Sequence, residues 1–238
     1  MIPKTIHYCW FGGRAIPRRL KKCIDSWKRY MPDARIIRWN ESNYDVNAIP
    51  YSAAAYRAKK WAFVSDYARL DVVFREGGIY LDTDVELLKP LDPLLLDHAF
   101  CARESKEQVN TGLVLAAEAG NGTIRVLRDA YLSYSFPSAT CTVLQTELLR
   151  KMGMVDSESI QRIDGLTIYP QEYFNAKDAF GISRPTPNTF AVHHAEASWM
   201  PFGWRLLKAA RHVCERLVGE RTLARLVALK RRIVGEFS

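Results

Sequence analysis

The sequence predicts an α/β protein built on a nucleotide-binding sheet, and three observations carry that reading. Residues 2–11 alternate apolar and polar, 17–30 repeat at helical spacing, and 34–39 form a second short apolar run, together a βαβ unit. A second helical pattern starts at Trp61 and stops at Gly77-Gly78, just before the apolar strand Ile79-Tyr80-Leu81. That strand runs straight into Asp82-Thr83-Asp84. Two carboxylates therefore stand at the carboxyl edge of a sheet, where open α/β sheets bind their ligands.

Each element has a local cause. The first strand closes at Gly12-Gly13. Pro17 opens the first helix, where its missing N–H does no harm, and Leu20, Ile24 and Trp27 share a face. No G-x-G-x-x-G or phosphate-binding lysine loop follows the first strand, which disfavours a dinucleotide or P-loop enzyme. In the second helix Ala62, Val64, Tyr67, Leu70, Val73 and Phe74 recur on one side, and glycine at 77 suits a left-handed C-cap. Further on, 99–103 and 112–116 predict strands, 121–135 and 141–151 predict helices, and 161–169 predicts a strand pair turning at Asp164-Gly165. Residues 170–174 and 184–188 read as loops on the acceptor side. A last strand, 189–192, delivers His193-His194 to a loop holding Glu196, Ser198 and Trp199.

Composition narrows the class. A chain of 238 residues with 48% apolar and 25% charged side chains can bury one ordinary core. There is no apolar run of about eighteen residues and no signal-peptide pattern, so the expectation is a cytoplasmic protein. Five scattered cysteines without C-x-x-C spacing read as reduced thiols. Residues 201–238 hold nine Lys/Arg and three Glu, which is +6 of the net +8. That tail reads as basic amphipathic helices, either packed on the protein or drawn to the inner face of an anionic membrane. Nucleic-acid binding has no supporting motif.

The D-x-D pair is the chemical centre. Alone it is a common accident of polar loops; following an apolar strand, Asp82 and Asp84 can share one hard divalent cation. An imidazole from His193-His194 can add a ligand, with His194 preferred. Trp10, at the end of the first strand, is a core residue or a platform for a base, and stacking alone does not choose between uridine and guanosine. Asn110 is a turn former or a partner for a sugar hydroxyl. Ser198 and Trp199 are donors suited to a diphosphate. Asp66 and Arg69 form an intrahelical ion pair or part of a site.

The run A-x-x-S-D-x-x-R followed by G-G-I-Y-L-D-x-D resembles glycosyltransferase family 32, the DXD-motif group of initiating mannosyltransferases and capsular polysaccharide enzymes, similar in core to the clostridial glucosylating toxins. Ile2-Pro3-Lys4-Thr5-Ile6-His7…Trp10-Phe11-Gly12-Gly13 and His193-His194…Ser198-Trp199 resemble the same family's start and end. The resemblance implies a GT-A-type, Rossmann-like mixed sheet over 1–200 with a basic helical extension at 201–238. It implies a retaining transfer from a UDP- or GDP-sugar to a glycan or lipid-linked acceptor, with Mn²⁺ or Mg²⁺. Asp84 would bind the metal, Asp82 the ribose, sugar and metal, and Asp66 and Arg69 the donor sugar. Trp10 would stack on the base, and Asn110 would lie in the loop facing the sugar. Glu196 competes with His194, because the toxins place a carboxylate there. Two rivals stand beside this reading. One is a haloacid-dehalogenase-type phosphatase with Asp82 as nucleophile, the other a non-catalytic carbohydrate- or membrane-surface-binding protein.

Overall fold

The computed structural model describes residues 1–177 and 183–194, and it contains the expected α/β sheet. β1 (Thr5–Cys9), α1 (Arg18–Tyr30) and β2 (Arg35–Trp39) form the βαβ unit, with β1 and β2 parallel and in register from Thr5↔Arg35 to Cys9↔Trp39. α1 follows Pro17 and turns Leu20, Cys23, Ile24 and Trp27 inward. The buried Trp27 indole N–H donates to the Val85 carbonyl at 2.8 Å, so burial leaves no orphan donor. α2 (Pro50–Arg57) was not foreseen, because its alanines and serine hide a helical period. α3 (Trp61–Glu76) ends at Gly77, whose φ of 66° is positive as expected of glycine, although its ψ of −173° leads the chain out extended and does not form the αL cap.

β3 (Gly78–Tyr80) lies parallel to β1. With β5 (Ala99–Ala102), β6 (Leu115–Ala117), β7 (Gln161–Ile163) and β8 (Leu166–Tyr169), it completes a seven-stranded sheet of order β2-β1-β3-β6-β5-β8-β7. The sheet is mixed: β6 is antiparallel to both β3 and β5, while β8 is parallel to β5. The carboxyl ends of β1, β2, β3, β5 and β8 and the amino end of β6 therefore share one edge. β4 (Val85–Leu87) and β9 (Ala191–His193) pair antiparallel in a second small sheet.

Strand alternation sorts the core into two clusters. Tyr80 packs with Val64, Tyr67, Ala68 and Val72 of α3, while Ile79 and Leu81 pack with Ile6, Trp27 and Phe100. α4 (Gly122–Ala130) and α5 (Cys141–Lys151) occupy the predicted helical stretches, although α4 stops well short of 135. The strand expected from 112 begins at Leu115, since the chain turns from Asn110 to Leu113, whose amide donates to the Asn110 carbonyl at 3.2 Å. The expected loop at 170–174 contains the short helix α6 (Gln171–Phe174). Glu196, Ser198, Trp199 and the basic stretch 201–238 lie outside the described residues. Among the described residues no helix is long and apolar enough to cross a membrane.

His7 makes a test of this core. Its Nε2 lies 2.8 Å from the Gly77 carbonyl, and its Nδ1 lies 3.1 Å from the Trp39 indole nitrogen. A carbonyl only accepts and an indole N–H only donates, so the ring is neutral and protonated at Nε2. Burial lowers its pKa from the usual value, against the pull of the Gly77 carbonyl. Below about pH 6.5 the unfolded chain then binds a proton that the folded chain refuses. The His7 contribution is present above that pH and is lost as pH falls toward the lowered folded value. Urea unfolding is expected to show this loss, by at most about 1.4 kcal/mol per pH unit, and His7→Phe is expected to remove that component.

Candidate active site

The face on which Asp82 lands follows from strand parity. Tyr80 points toward α3, and Asp82, two residues on, takes the same side and meets the helix at Asp66 and Arg69. Arg69 Nη2 lies 3.0 Å from Asp66 Oδ1 and 3.4 Å from Asp82 Oδ1, so one guanidinium bridges both carboxylates. Arg69 Nε donates to the Ser65 carbonyl at 3.2 Å, and its Cζ lies 5.1 Å from the Tyr80 ring centroid. The Tyr80 hydroxyl donates to Asp82 Oδ1 at 2.9 Å. Asp66 and Arg69 are 6% and 3% exposed, too buried for a surface ion pair of a few tenths of a kcal/mol. Burial pushes the Asp66 carboxyl up to about 6, against the Arg69 charge. Burial also raises Asp82, again opposed by Arg69 and reinforced by the nearby Asp84. A buried pair of this kind adds little to stability, which leaves positioning as its physical use.

The turn before β6 closes over Asp82. The Asp82 amide donates to the Gly112 carbonyl at 3.0 Å. A Cβ on Gly112 would stand 2.1 Å from Asp82 Oδ2 and 3.0 Å from Arg69 Nη1, so only glycine admits the carboxylate. Asn110 shapes this turn: its Oδ1 accepts the Gly112 amide at 2.8 Å, and its Nδ2 donates to Glu104 at 3.3 Å. α5 anchors the turn from behind. Thr111 Oγ1 donates to Gln145 Oε1 at 2.8 Å, and Thr146 Oγ1 accepts the Val109 amide at 3.0 Å.

The histidine pair needs a correction. His193, not His194, faces the D-x-D pair. β9 extends through His193, which pairs with Val85, so the two imidazoles leave opposite faces. His193 Nε2 lies 3.2 Å from Asp84 Oδ1, whereas His194 Nε2 lies 2.8 Å from Glu86 Oε2 on the exposed side. The His194 amide still donates to the Asp84 carbonyl at 3.0 Å. Burial opposes ionisation of Asp84, but the hydrogen bond and charge of His193 outweigh it and hold the carboxyl below its ordinary range. Asp82, Asp84 and His193 each offer a ligand atom within 4.8 Å of the others. Two carboxylate oxygens and an imidazole nitrogen suit Mn²⁺ or Mg²⁺ and leave positions for a diphosphate and water. His193 Nδ1 is buried with no hydrogen-bond partner among the described residues. We expect His193→Ala to weaken Mn²⁺ binding at least about tenfold and His194→Ala to leave it unchanged, read by titration under tryptophan fluorescence.

Trp10 stands beyond β1 on the same edge, partly exposed, its indole N–H donating to the Arg14 carbonyl at 2.5 Å. Asp66, Arg69, Asp82, Asp84 and His193 are thus gathered at one place, with Trp10 at the end of the strand next to β3 and Asn110 engaged within its own loop. The loop 109–112 was expected to face the sugar, but Tyr80, Cys141 and Gln145 were missed. Tyr80 was legible from its two-residue spacing to Asp82; Cys141 and Gln145 are brought in by α5 and carry no local signal.

The chain is similar in sequence and in fold to known proteins. Residues 17–101 match the family described as a glycosyltransferase sugar-binding region containing the DXD motif. The chain is 30% identical over 110 residues to inositol phosphoceramide mannosyltransferase 1 of Schizosaccharomyces pombe, covering 42% of this chain and 33% of that protein. It is 28% identical over 154 residues to inositol phosphoceramide mannosyltransferase 3 of the same yeast, covering 58% and 41%. The chain spans less than half the length of these curated relatives. The crystal structure of the glycosyltransferase GlyE of Streptococcus pneumoniae TIGR4 matches with a TM-score of 0.51 at 14% identity, over 87% of this chain and 60% of that one, a likeness of fold alone.

Proposed function

We propose that this chain, which carries the DXD-containing sugar-binding region of glycosyltransferases on a GT-A-type α/β fold, is a divalent-metal-dependent, retaining glycosyltransferase. It moves a sugar from a UDP- or GDP-linked donor to a glycan or lipid-linked acceptor. The observation that carries the reading is the Asp82–Asp84–His193 cluster at the carboxyl edge of the sheet, one guanidinium away from Asp66. Retention rests on the family resemblance.

Asp84, Asp82 and His193 would hold the cation, and when bound it supplies Lewis-acid neutralisation of the departing diphosphate. The protein's own groups do the rest. Arg69 and Asp66, fixed by burial, present a donor and an acceptor to the hydroxyls of the sugar. Tyr80 and Arg69 fix the Asp82 carboxylate where it would meet the metal, ribose and sugar. Trp10 offers a face for the base, and Ser198 and Trp199 offer donors for the diphosphate. The basic stretch 201–238 attaches the enzyme to an anionic membrane on its cytoplasmic side, beside lipid-linked acceptors.

A phosphatase nucleophile at Asp82 fits less well. Its Oδ1 accepts from Tyr80 and Arg69, which draw charge from the carboxylate and weaken it as a nucleophile. The test is a donor panel with Mn²⁺, UDP- and GDP-sugars together, with mannose donors first because the relatives are mannosyltransferases. Metal-dependent binding and slow nucleotide release from one donor are expected, with NMR of the first sugar product showing the anomeric configuration of the donor. Cleavage of a phosphomonoester without nucleotide binding would establish the phosphatase instead.

A further inference from the structure

We propose that the outer face of α1 is a docking surface for an anionic lipid bilayer, one that holds the catalytic edge of the sheet beside the headgroups. The docking stands apart from the sugar chemistry; that the bilayer also carries the acceptor rests on the transferase reading. Residues 14–38 hold nine Lys/Arg and two Asp, which is +7. With the +6 of 201–238 also set aside, the net +8 leaves the rest of the chain at −5.

The helix gathers this charge on one side. Every exposed side chain of α1 is Arg, Lys or Asp. Arg18, Lys22 and Arg29 stand within about 40° of one another around the helix axis, and Lys21 lies beside them. Lys28 is paired with Asp25 at 3.3 Å and Arg19 is already engaged, so neither adds to the patch. Arg18, Lys21, Lys22 and Arg29 have no carboxylate partner among the described residues. The inner face is held to β4: the Trp27 indole donates to the Val85 carbonyl at 2.8 Å, and Ser26 Oγ accepts the Leu87 amide at 2.9 Å. β4 directly follows Asp84, and α1 starts from the edge where β1 ends. Arg18, Lys21 and Lys22, in the first two turns, therefore stand toward the catalytic edge.

Folding gives no reason for the cluster. No acidic residue stands in the first turn of α1, and Pro17 supplies no side-chain cap. Cations there meet the positive end of the helix dipole, and Arg18 and Lys22 repel each other one turn apart. The arrangement is unfavourable in the protein alone and becomes favourable against a fixed negative field. The partner's chemistry follows from what the face lacks. None of the large exposed apolar side chains lies on α1, so it rests on headgroups by charge and does not insert. It also lacks the interleaved exposed aromatics on which single-stranded bases stack. A bilayer of anionic lipid offers a continuous negative plane to the whole row of cations at once.

The test is sedimentation of the full chain with vesicles at low salt, without divalent cation. The chain should bind mixed phosphatidylcholine–phosphatidylglycerol vesicles and ignore phosphatidylcholine alone. Each cation is worth about fivefold near such a surface, so Arg18→Gln/Lys21→Gln/Lys22→Gln should weaken binding at least about tenfold. Its melting curve should hold or shift upward, because the conflict with the dipole is removed. Arg125→Gln/Lys151→Gln/Arg162→Gln takes the same net charge from α4, α5 and β7 and should weaken binding far less. Equal losses in the two variants overturn the proposal, as does unchanged binding by the α1 variant or equal binding to both vesicle types. A fluorescent RNA oligomer that binds through the same three residues, with vesicles ignored, overturns the lipid assignment. Mn²⁺-dependent nucleotide binding is measured alongside and should be the same in the α1 variant as in the wild type. Its loss in that variant, with vesicle binding kept, places the cations in the donor site and overturns the docking. Vesicle binding through α1 in a wild type that takes no nucleotide leaves the docking standing and sinks the transferase reading.

Discussion

Asp84→Ala is expected to abolish Mn²⁺-dependent binding of the donor nucleotide and to lower turnover by about 10³-fold, the effect of removing several kcal/mol of charge stabilisation. Wild-type protein treated with EDTA should behave alike, and re-addition of Mn²⁺ should rescue only the wild type. The fold should survive. Asp84 and Asp82 repel each other, and the raised Asp82 carboxyl partly reflects that repulsion. Removing Asp84 relieves that repulsion but breaks its pair with His193, which holds the Asp84 carboxyl below its ordinary range, so a modest fall in melting temperature is expected. A variant that melts earlier and still binds nucleotide with metal would show that Asp84 is a structural partner of His193 and no ligand.

Gly112→Ala should be nearly as damaging to turnover, for a steric reason. The new methyl would occupy the position 2.1 Å from Asp82 Oδ2, so the carboxylate, the turn or both must move. A displacement near 1 Å at a reacting group lowers rates by about 10²-fold, and that is the loss expected in kcat. Mn²⁺ affinity should fall less, because Asp84 and His193 lie outside the turn. The backbone of Gly112 is not left-handed, so the damage is contact and not strain. Gly165, at φ 77° with open space around its missing Cβ, is the useful contrast. Gly165→Ala should lower stability through backbone strain while kcat stays near wild type. Equal kcat losses in the two variants would remove the steric account.

Much of this site was legible because its parts are local. The helix of Asp66 and Arg69, the glycine stop and the strand entering Asp82 are contiguous, and each obeys a short-range rule. Parity between Tyr80 and Asp82 even gives the face. What escaped was non-local. β4 has only three residues and no period of its own, and it exists because β9 pairs with it. Without that ladder nothing in the sequence says which of two adjacent histidines turns inward, and the preference for His194 failed there. Asn110 could be read as turn or ligand, and the structure engages both ends of its amide in the loop. The distant helix α5 reaches the site through Thr111 and Val109 and through the Cys141 thiol, 3.8 Å from Arg69 Nη1, contacts that no sequence window spans.

The pairing of Val85 with His193 joins two stretches of chain that meet only through folding. A cation shared by Asp82, Asp84 and His193 would act as a clasp across that seam, since it binds the closed ladder and not the opened one. Cofactor occupancy and local breathing are then linked by mass action, each hundredfold excess over the dissociation constant adding about 2.7 kcal/mol against opening. Amide exchange in β4 and β9 should slow as metal is added, while exchange in β1 and β2, across the sheet, stays where it was.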